Sequence, residues 1–411
     1  MEELYRKKIL ITTTGLSSVG QSGGISAYVD ELANNLSNAG HDVFVYLVKE
    51  GSAELKNKNV TYKFVHYQIG SSYNEEEELV RKLLNDIQIL RPEVIINNDT
   101  SYIAGLWPVL DKDIVKISVM HGFSIKRFEL SNSGIIGKMA CLNQEYIDHI
   151  VCQNSKMSED ASKKYDVDKE KFVFVPQSSK SNFEITKKPD LLTIIFGAGA
   201  RVAKGADVMH SLCNRLKQTD WKFQVKWCGD AGLFVNDLNN DSRFQFLGNL
   251  SREEYLSELS KAHCIVIPTK LDTGPMLLVE AMANHVAPLC NHLRESAIPD
   301  LVDDGVNGIL VENNNVDGYL NHIHEFIKYP NKCEEMGNKA FAYFQNNLTD
   351  KHQVQHYEKM FVIKKVNIES VPFSNKNIVY FHLKKTSHLP IWSLKRIMLK
   401  LRYTLEKPLY K

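Results

Sequence analysis

The segment LDTGPMLLVEAMA (271–283) brings an acid, a glycine turn, a proline and an apolar helix into one short run. Pro275 suits a first helical turn. The amides around Gly274, Met276 and Leu277 then form an anion site at the helix N-terminus, where N–H groups lack intrahelical acceptors and the dipole is positive. Asp272 precedes the turn, and Glu280 lies further along the helix. In that arrangement a diphosphate rests on the amides, while one carboxylate binds sugar hydroxyls and the other ribose hydroxyls. Taken alone, Glu280 also fits a buried, hydrogen-bonded helix residue.

Other candidates stand where strands run out into loops. His121 ends the strand KISVM and is followed by Gly122, which sets it at a carboxyl edge of a sheet. Ligands of doubly wound folds gather at such edges. Asp99, closing EVIINND, is a secondary candidate of the same kind. Gly23 and Gly24 precede a helix start, where a glycine pair lets backbone approach a phosphate or simply makes a tight turn. No D-x-D triplet sits at a strand end in a phosphate-binding context, and no His/Asp cluster has ligand spacing. Hence no metal or cofactor is expected, and the electrostatic work falls to Lys, Arg and backbone amides.

These residues need a scaffold, and the hydrophobic pattern supplies one. The β-branched run 8–14 (KILITTT) leads through the glycine loop into a helix with apolar residues at Ile25, Tyr28, Val29, Leu32, Ala33 and Leu36, one helical face. Gly40 then stands where a C-terminal cap is wanted, before the strand HDVFVYLV. The alternation continues through VTYKFVHY, a helix from about Glu75 to Leu90, EVIINND, KISVMHG, HIVCQNS, another helix and KFVFVPQ. After the polar stretch Ser178–Asp190 it restarts with LLTIIFGAGAR, a helix from about Gly205 to Leu216, KFQVKWCGDAG, RFQFLG, SREEYLSELSKA, CIVIPTK, a helix from Pro275 to about Asn284, and NGILVE. From Val316 to about Val366 the pattern is helical. Strand–helix alternation of this sort builds parallel α/β sheets, here two doubly wound domains whose loops face one cleft.

Bulk composition agrees with two domains: 411 residues with 43% hydrophobic and 24% charged content exceed one simple core. Fifty basic against 49 acidic side chains leave no global field for a polyanion, so nucleic acid is not an expected partner. The seven cysteines show neither C-x-x-C nor zinc-type spacing and read as reduced thiols of a cytoplasmic protein. The N-terminus MEELYRKKILITTT has no apolar stretch long enough for a signal peptide or membrane span.

The order and spacing of these pieces resemble the family 4 retaining glycosyltransferases of the GT-B fold. LDTGPMLLVEAMA is similar to the family's E-x7-E motif, with Asp272 and Glu280 at its acidic positions. The glycine loop with LANNLSNAGHDVFVY, VCQNS with KFVFVPQ, WCGDAG, FLGNLSREEYLSELSKAHCIVIPT and EAMANHVAPLCN through NGILVE resemble further family segments, so the likeness covers most of residues 8–365. It implies an N-terminal acceptor-side domain (1–178), a nucleotide-sugar domain (188–345), a helix packing back on the first domain (346–366) and a tail (367–411). It further implies that Glu280 binds the donor ribose, that Asp272 and His121 contact the transferred sugar, and that amides from Gly274 to Leu277 hold sugar and phosphate. Lys204, in the ARVAKG loop, would neutralise the diphosphate, with Arg201 as its partner, since the leaving nucleoside diphosphate gains negative charge. Two departures are visible: Arg201 lies closer to the lysine than the family's arginine does, and Asp stands for the commoner Glu at 272.

The implied reaction moves a hexose or N-acetylhexosamine from a UDP- or GDP-sugar to an acceptor hydroxyl with retention and without a metal. Residues 376–411 carry nine Lys or Arg against the single Glu406, interleaved with apolar residues including Trp392. Such a tail either lies on an anionic membrane surface, which would suit a cell-envelope or lipid-linked glycan acceptor and a peripheral location, or packs on the protein with a solvated basic face. A catalytically silent GT-B subunit and a sugar-nucleotide epimerase are the competing readings. A nicotinamide enzyme is disfavoured, because neither glycine loop reads G-x-G-x-x-G with a following acid.

Overall fold

The computed structural model describes residues 6–14, 24–47, 59–64, 73–122, 132–180, 187–362 and 370. Gly23 and the basic tail 376–411 lie outside the described residues. The chain divides into two compact units: unit 1 is Met1–Val175 with Val354–Lys411, and unit 2 is Pro176–Gln353.

Unit 1 contains the strands β1 (Lys8–Thr13), β2 (Asp42–Leu47), β3 (Thr61–Phe64), β4 (Val94–Asn97), β5 (Val115–Met120), β6 (His149–Cys152) and β7 (Phe172–Phe174). Between them run the helices α1 (Gly24–Asn38), α2 (Tyr73–Leu90), α3 (Ser101–Leu106), α4 (Asn132–Leu142) and α5 (Ser155–Tyr165). The sheet order is β3-β2-β1-β4-β5-β6-β7, and β1 pairs in parallel with both β2 and β4. The strand order therefore reverses between β1 and β4, which opens a crevice at their carboxyl ends. Alternate β1 residues serve opposite faces: Leu10 belongs to one apolar cluster, Ile9 and Ile11 to the other. Burial on both faces is why this strand reads as an unbroken apolar run. The buried stripe of α1 (Tyr28, Val29, Leu32, Ala33, Leu36) covers the second cluster, and Gly40 at φ +99° turns the chain into β2.

Unit 2 contains β8 (Thr193–Phe196), α6 (Ala206–Lys217), β9 (Gln224–Cys228), β10 (Phe244–Gly248), α7 (Arg252–Ser260), β11 (Cys264–Ile267), α8 (Met276–Ala283), β12 (Ala287–Asn291), α9 (Ile298–Leu301), β13 (Ile309–Val311), α10 (Val316–Lys328) and α11 (Pro330–Asn347). Its sheet order is β10-β9-β8-β11-β12-β13, so the reversal recurs between β8 and β11. Ile194, Phe196, Trp227, Val266 and Leu289 meet Leu212, Tyr319 and Phe326 in one core.

The last helix, α12 (Asp350–Met360), returns the chain to unit 1, where Tyr357 and Met360 join the cluster under α1. The buried Tyr357 and Tyr28 hydroxyls are 2.6 Å apart. His41 Nδ1 accepts from the Lys7 N–H at 3.2 Å, which leaves Nε2–H to donate to Glu358 at 3.2 Å.

Four elements escape the sequence reading, the short α9 among them. The strand β12 (APLCN) carries a proline and no β-branched residue, and takes its form from parallel pairing with β11 and β13. α3 and α4 are buried on several sides and lack an amphipathic period. All seven cysteines are free and buried, and burial pushes the thiols of Cys141 and Cys228 up to about 12. No helix among the described residues is long and apolar enough to cross a membrane.

Candidate functional site

The carboxyl ends of β8 and β11 carry the loops 197–205 and 268–275. These touch backbone to backbone. Gly205, at φ +82°, caps α6, and a Cβ there would lie 2.0 Å from the Pro268 carbonyl oxygen. The Lys270 and Leu271 N–H groups both donate to the Ala203 carbonyl, at 3.0 and 3.1 Å. Asn291 Nδ2 donates to the Thr269 carbonyl at 2.9 Å, and the Ala297 N–H to that of Thr273 at 2.8 Å.

On this frame the Lys204 ammonium sits 2.5 Å from Asp272 Oδ2 and donates to the Leu271 carbonyl at 3.3 Å. The two side chains retain 28% and 15% exposure, so the pair is open to a ligand rather than sealed in the core. Arg201 shares the loop but turns back on it, its Nε donating to the Ala198 carbonyl at 3.1 Å.

Pro275 stands one position earlier than its sequence reading as a first helical residue. Its backbone is extended (φ −70°, ψ 113°), it caps α8, and its carbonyl accepts the Leu278 N–H at 3.1 Å. Met276 is therefore the first helical residue, and the amides of Gly274, Met276 and Leu277 surround the positive end of the helix. Glu280 is buried in α8, its carboxylate 2.9 Å from Arg252 Nη1 at the start of α7.

In unit 1 the reversal point is polar. Thr12 Oγ1 donates to Asn97 Oδ1 at 3.0 Å, joining the ends of β1 and β4. Just beyond, Thr14 donates through its N–H (2.8 Å) and hydroxyl (2.5 Å) to the Asp99 carboxylate, and burial pushes that carboxyl up. His121 follows β5 and is buried, with Nε2 3.2 Å from Asn98 Oδ1 and its ring edge-on to Tyr28 at 5.2 Å. Burial lowers its imidazole to about 3, so the ring is neutral at physiological pH. The amide nitrogen of Asn98 and the hydroxyl of Ser118 are buried without a hydrogen-bond partner among the described residues. Gly24 opens α1, and a Cβ there would meet nothing within 4 Å.

The two units thus hold separate sets: Lys204, Asp272, Arg201, Glu280 and the α8 turn in unit 2, His121 and Gly24 in unit 1. Sequence reading misses Arg252 and Asn98. The local signal at Arg252, SREE, announces only a capped helix start, and its partner lies on another helix. Among the described residues no group of three or more His, Cys, Asp or Glu is arranged to hold a metal ion. What unit 2 presents is a cation, two carboxylates and a helix N-terminus at a strand-order reversal, a combination suited to a phosphorylated, hydroxyl-rich ligand.

Comparison with known proteins agrees with this chemistry. Residues 177–343 match the family described as Glycosyl transferases group 1, and residues 22–177 match Glycosyltransferase Family 4. An uncharacterized glycosyltransferase of Methanocaldococcus jannaschii is 30% identical over 129 residues, a stretch that spans 30% of this chain and 35% of that relative. Sucrose-phosphate synthase from Thermosynechococcus elongatus superposes with a TM-score of 0.68 at 14% identity, over 87% of this chain and 98% of the other. HepE of Anabaena in complex with UDP does so with a TM-score of 0.67 at 15% identity, over 86% and 98%, and the same protein has also been solved with UDP-glucose. At such identities the likeness is one of fold.

Proposed function

Because the chain belongs to the glycosyl transferases group 1, with an N-terminal half of the family 4 type, we propose that it transfers a hexose or N-acetylhexosamine from a UDP- or GDP-sugar to a hydroxyl of a cell-envelope glycan or lipid-linked acceptor, with retention. The observation that carries the reading is the Lys204–Asp272 pair, held at the β8–β11 reversal beside the amino end of α8. As the bond between sugar and diphosphate breaks, negative charge collects on the leaving oxygen. Lys204 and the amides from Gly274 to Leu277 meet that charge with preset dipoles and a full cation, without a metal or other cofactor. Pairing with Asp272 keeps the ammonium aimed into the site until the diphosphate arrives. Asp272 then orients sugar hydroxyls, Glu280 the ribose hydroxyls, and Arg201 swings from its own loop to the phosphates.

In unit 1 the neutral His121 serves as a hydrogen-bonding group for the transferred sugar. The acceptor hydroxyl attacks the anomeric carbon on the face the diphosphate leaves, forming the new glycosidic bond as the old one breaks, and the leaving diphosphate oxygen takes its proton. UDP and UDP-glucose bound to HepE favour a nucleoside-diphosphate donor. The basic, apolar residues 376–411 favour a lipid-linked acceptor reached from the cytoplasmic side of a membrane. With Lys204, Glu280 and the α8 turn together in unit 2, the silent-subunit reading draws no support.

The test is a panel of UDP- and GDP-sugars against wild type and Glu280→Ala, scored for thermal stabilisation and slow hydrolysis without acceptor. Stabilisation by one or two donors, lost in the variant, identifies the donor. No response to any donor refutes the reading.

A further inference from the structure

Arg252 has no part in the donor contacts assigned above, but it pairs with Glu280, which does. We propose that Arg252 is a positioning residue, holding the Glu280 carboxylate in the orientation that receives the donor ribose; this rests on the donor-site reading of Glu280. The two ends of the pair sit in different surroundings. The Glu280 side chain is 4% exposed and that of Arg252 48%, at 2.9 Å. A carboxylate so deeply buried is costly unless a charged, hydrogen-bonding partner holds it, and the planar guanidinium fixes its rotation as a lysine point charge does not.

The helix that supplies the arginine is itself anchored. Ser251 and Glu254 form a reciprocal cap, Ser251 N–H donating to Glu254 Oε2 at 2.8 Å and Glu254 N–H to Ser251 Oγ at 3.2 Å. That cap sets the first turn of α7, where Arg252 begins. On the same helix the half-buried Tyr255 packs against Gly197, so closely that a Cβ on the glycine would meet its ring and hydroxyl at 2.9 Å. Gly197 is the first residue after β8, the start of the loop that carries Lys204. One short helix thus braces both Glu280 and the root of the Lys204 loop, and Arg252 is its link to the former. Burial, with the Glu280 charge nearby, holds the Tyr255 hydroxyl protonated, so Tyr255 serves as a neutral brace.

The test titrates wild type, Arg252→Ala, Arg252→Gln, Arg252→Lys, Glu280→Ala and the Arg252→Ala/Glu280→Ala double variant with UDP and GDP by calorimetry. Donor hydrolysis is followed in parallel, and thermal unfolding reports folding of each variant. Arg252→Ala and Arg252→Gln are expected to weaken nucleotide binding roughly tenfold or more, with the double variant no weaker than Glu280→Ala, as coupled neighbours require. KM for the donor should rise while kcat stays within about twofold, the mark of lost ground-state binding. Arg252→Lys should recover part of the affinity. Wild-type affinity in folded Arg252→Ala or Arg252→Gln, alongside loss in Glu280→Ala, overturns the proposal while sparing the donor site. So does a double variant whose loss is the sum of the single losses. Wild-type affinity in Glu280→Ala overturns the donor-site reading and the proposal with it.

Discussion

Replacing Gly205 with alanine tests whether the two loops of unit 2 are locked together. The residue has φ +82°, and the new Cβ would stand 2.0 Å from the Pro268 carbonyl oxygen. Left-handed backbone costs a residue with a Cβ about 1–2 kcal/mol. Forcing a packed backbone carbonyl aside adds about 1–3 kcal/mol, for a total of about 2–5 kcal/mol. Gly305 supplies the control: its φ is +74°, yet nothing lies within 4 Å of a Cβ built there. Gly305→Ala therefore bears only the backbone cost of about 1–2 kcal/mol. At about 2–4 °C per kcal/mol for a unit of this size, Tm should fall by roughly 4–20 °C for Gly205→Ala and roughly 2–8 °C for Gly305→Ala. Scanning calorimetry with fluorescence of Trp221 and Trp227, both in unit 2, reads the transition. Because Gly205 follows Lys204 directly, Gly205→Ala should also weaken donor binding whereas Gly305→Ala should not. Equal losses of Tm in the two variants would refute the reasoning, since the Pro268 carbonyl would then be yielding freely.

Lys204→Ala should lower kcat for donor turnover by about 10²–10³, the usual effect of removing one group that meets transition-state charge, as read by coupled release of the nucleotide. His121 has its imidazole lowered to about 3, so the folded state binds its proton less readily than the unfolded state does; the burial of this ring is tolerated fully above pH 6.5 and stability is lost as pH falls from there toward 3. Urea denaturation at several pH values should accordingly show a shallower acid loss in His121→Gln than in wild type. Tyr28→Phe, Tyr357→Phe and the double variant should form a cycle with a coupling of about 1 kcal/mol in urea unfolding, and additive losses would mean the 2.6 Å contact does not stabilise the fold.

Much of this is legible in the sequence because its determinants are local. The strand KILITT, the stripe of α1 and the turn at Gly40 are each set by side chains within a few positions of one another. The same holds for the acid, glycine and proline ahead of α8. What escaped depends on long-range pairing. The sequence points to Lys204 and Asp272 separately, but their direct contact joins residues 68 positions apart. Arg252 meets Glu280 only because α7 and α8 pack together, and nothing in SREE encodes that. The strand β12 has weak intrinsic preference and is held by its neighbours on both sides. The sequence reading sets Pro275 one position too far into the helix because proline's fixed φ suits either a cap or a first turn, and ψ, which separates them, is set by the loop.

The return of α12 to unit 1 has a consequence for how the protein is made. The core under α1 is finished by Tyr357 and Met360, yet the chain leaves that unit at Val175. A ribosome adding about 5–20 residues per second needs roughly 10–35 s to cross the intervening stretch. For that interval the nascent first unit waits with the Tyr28 hydroxyl and the apolar floor beneath it uncovered, while unit 2 has the last of its own buried apolar residues by Leu348. The second unit is thus born complete and the first is closed after it, so the synthesis of the second unit precedes, and gates, the maturation of the unit whose residues come first.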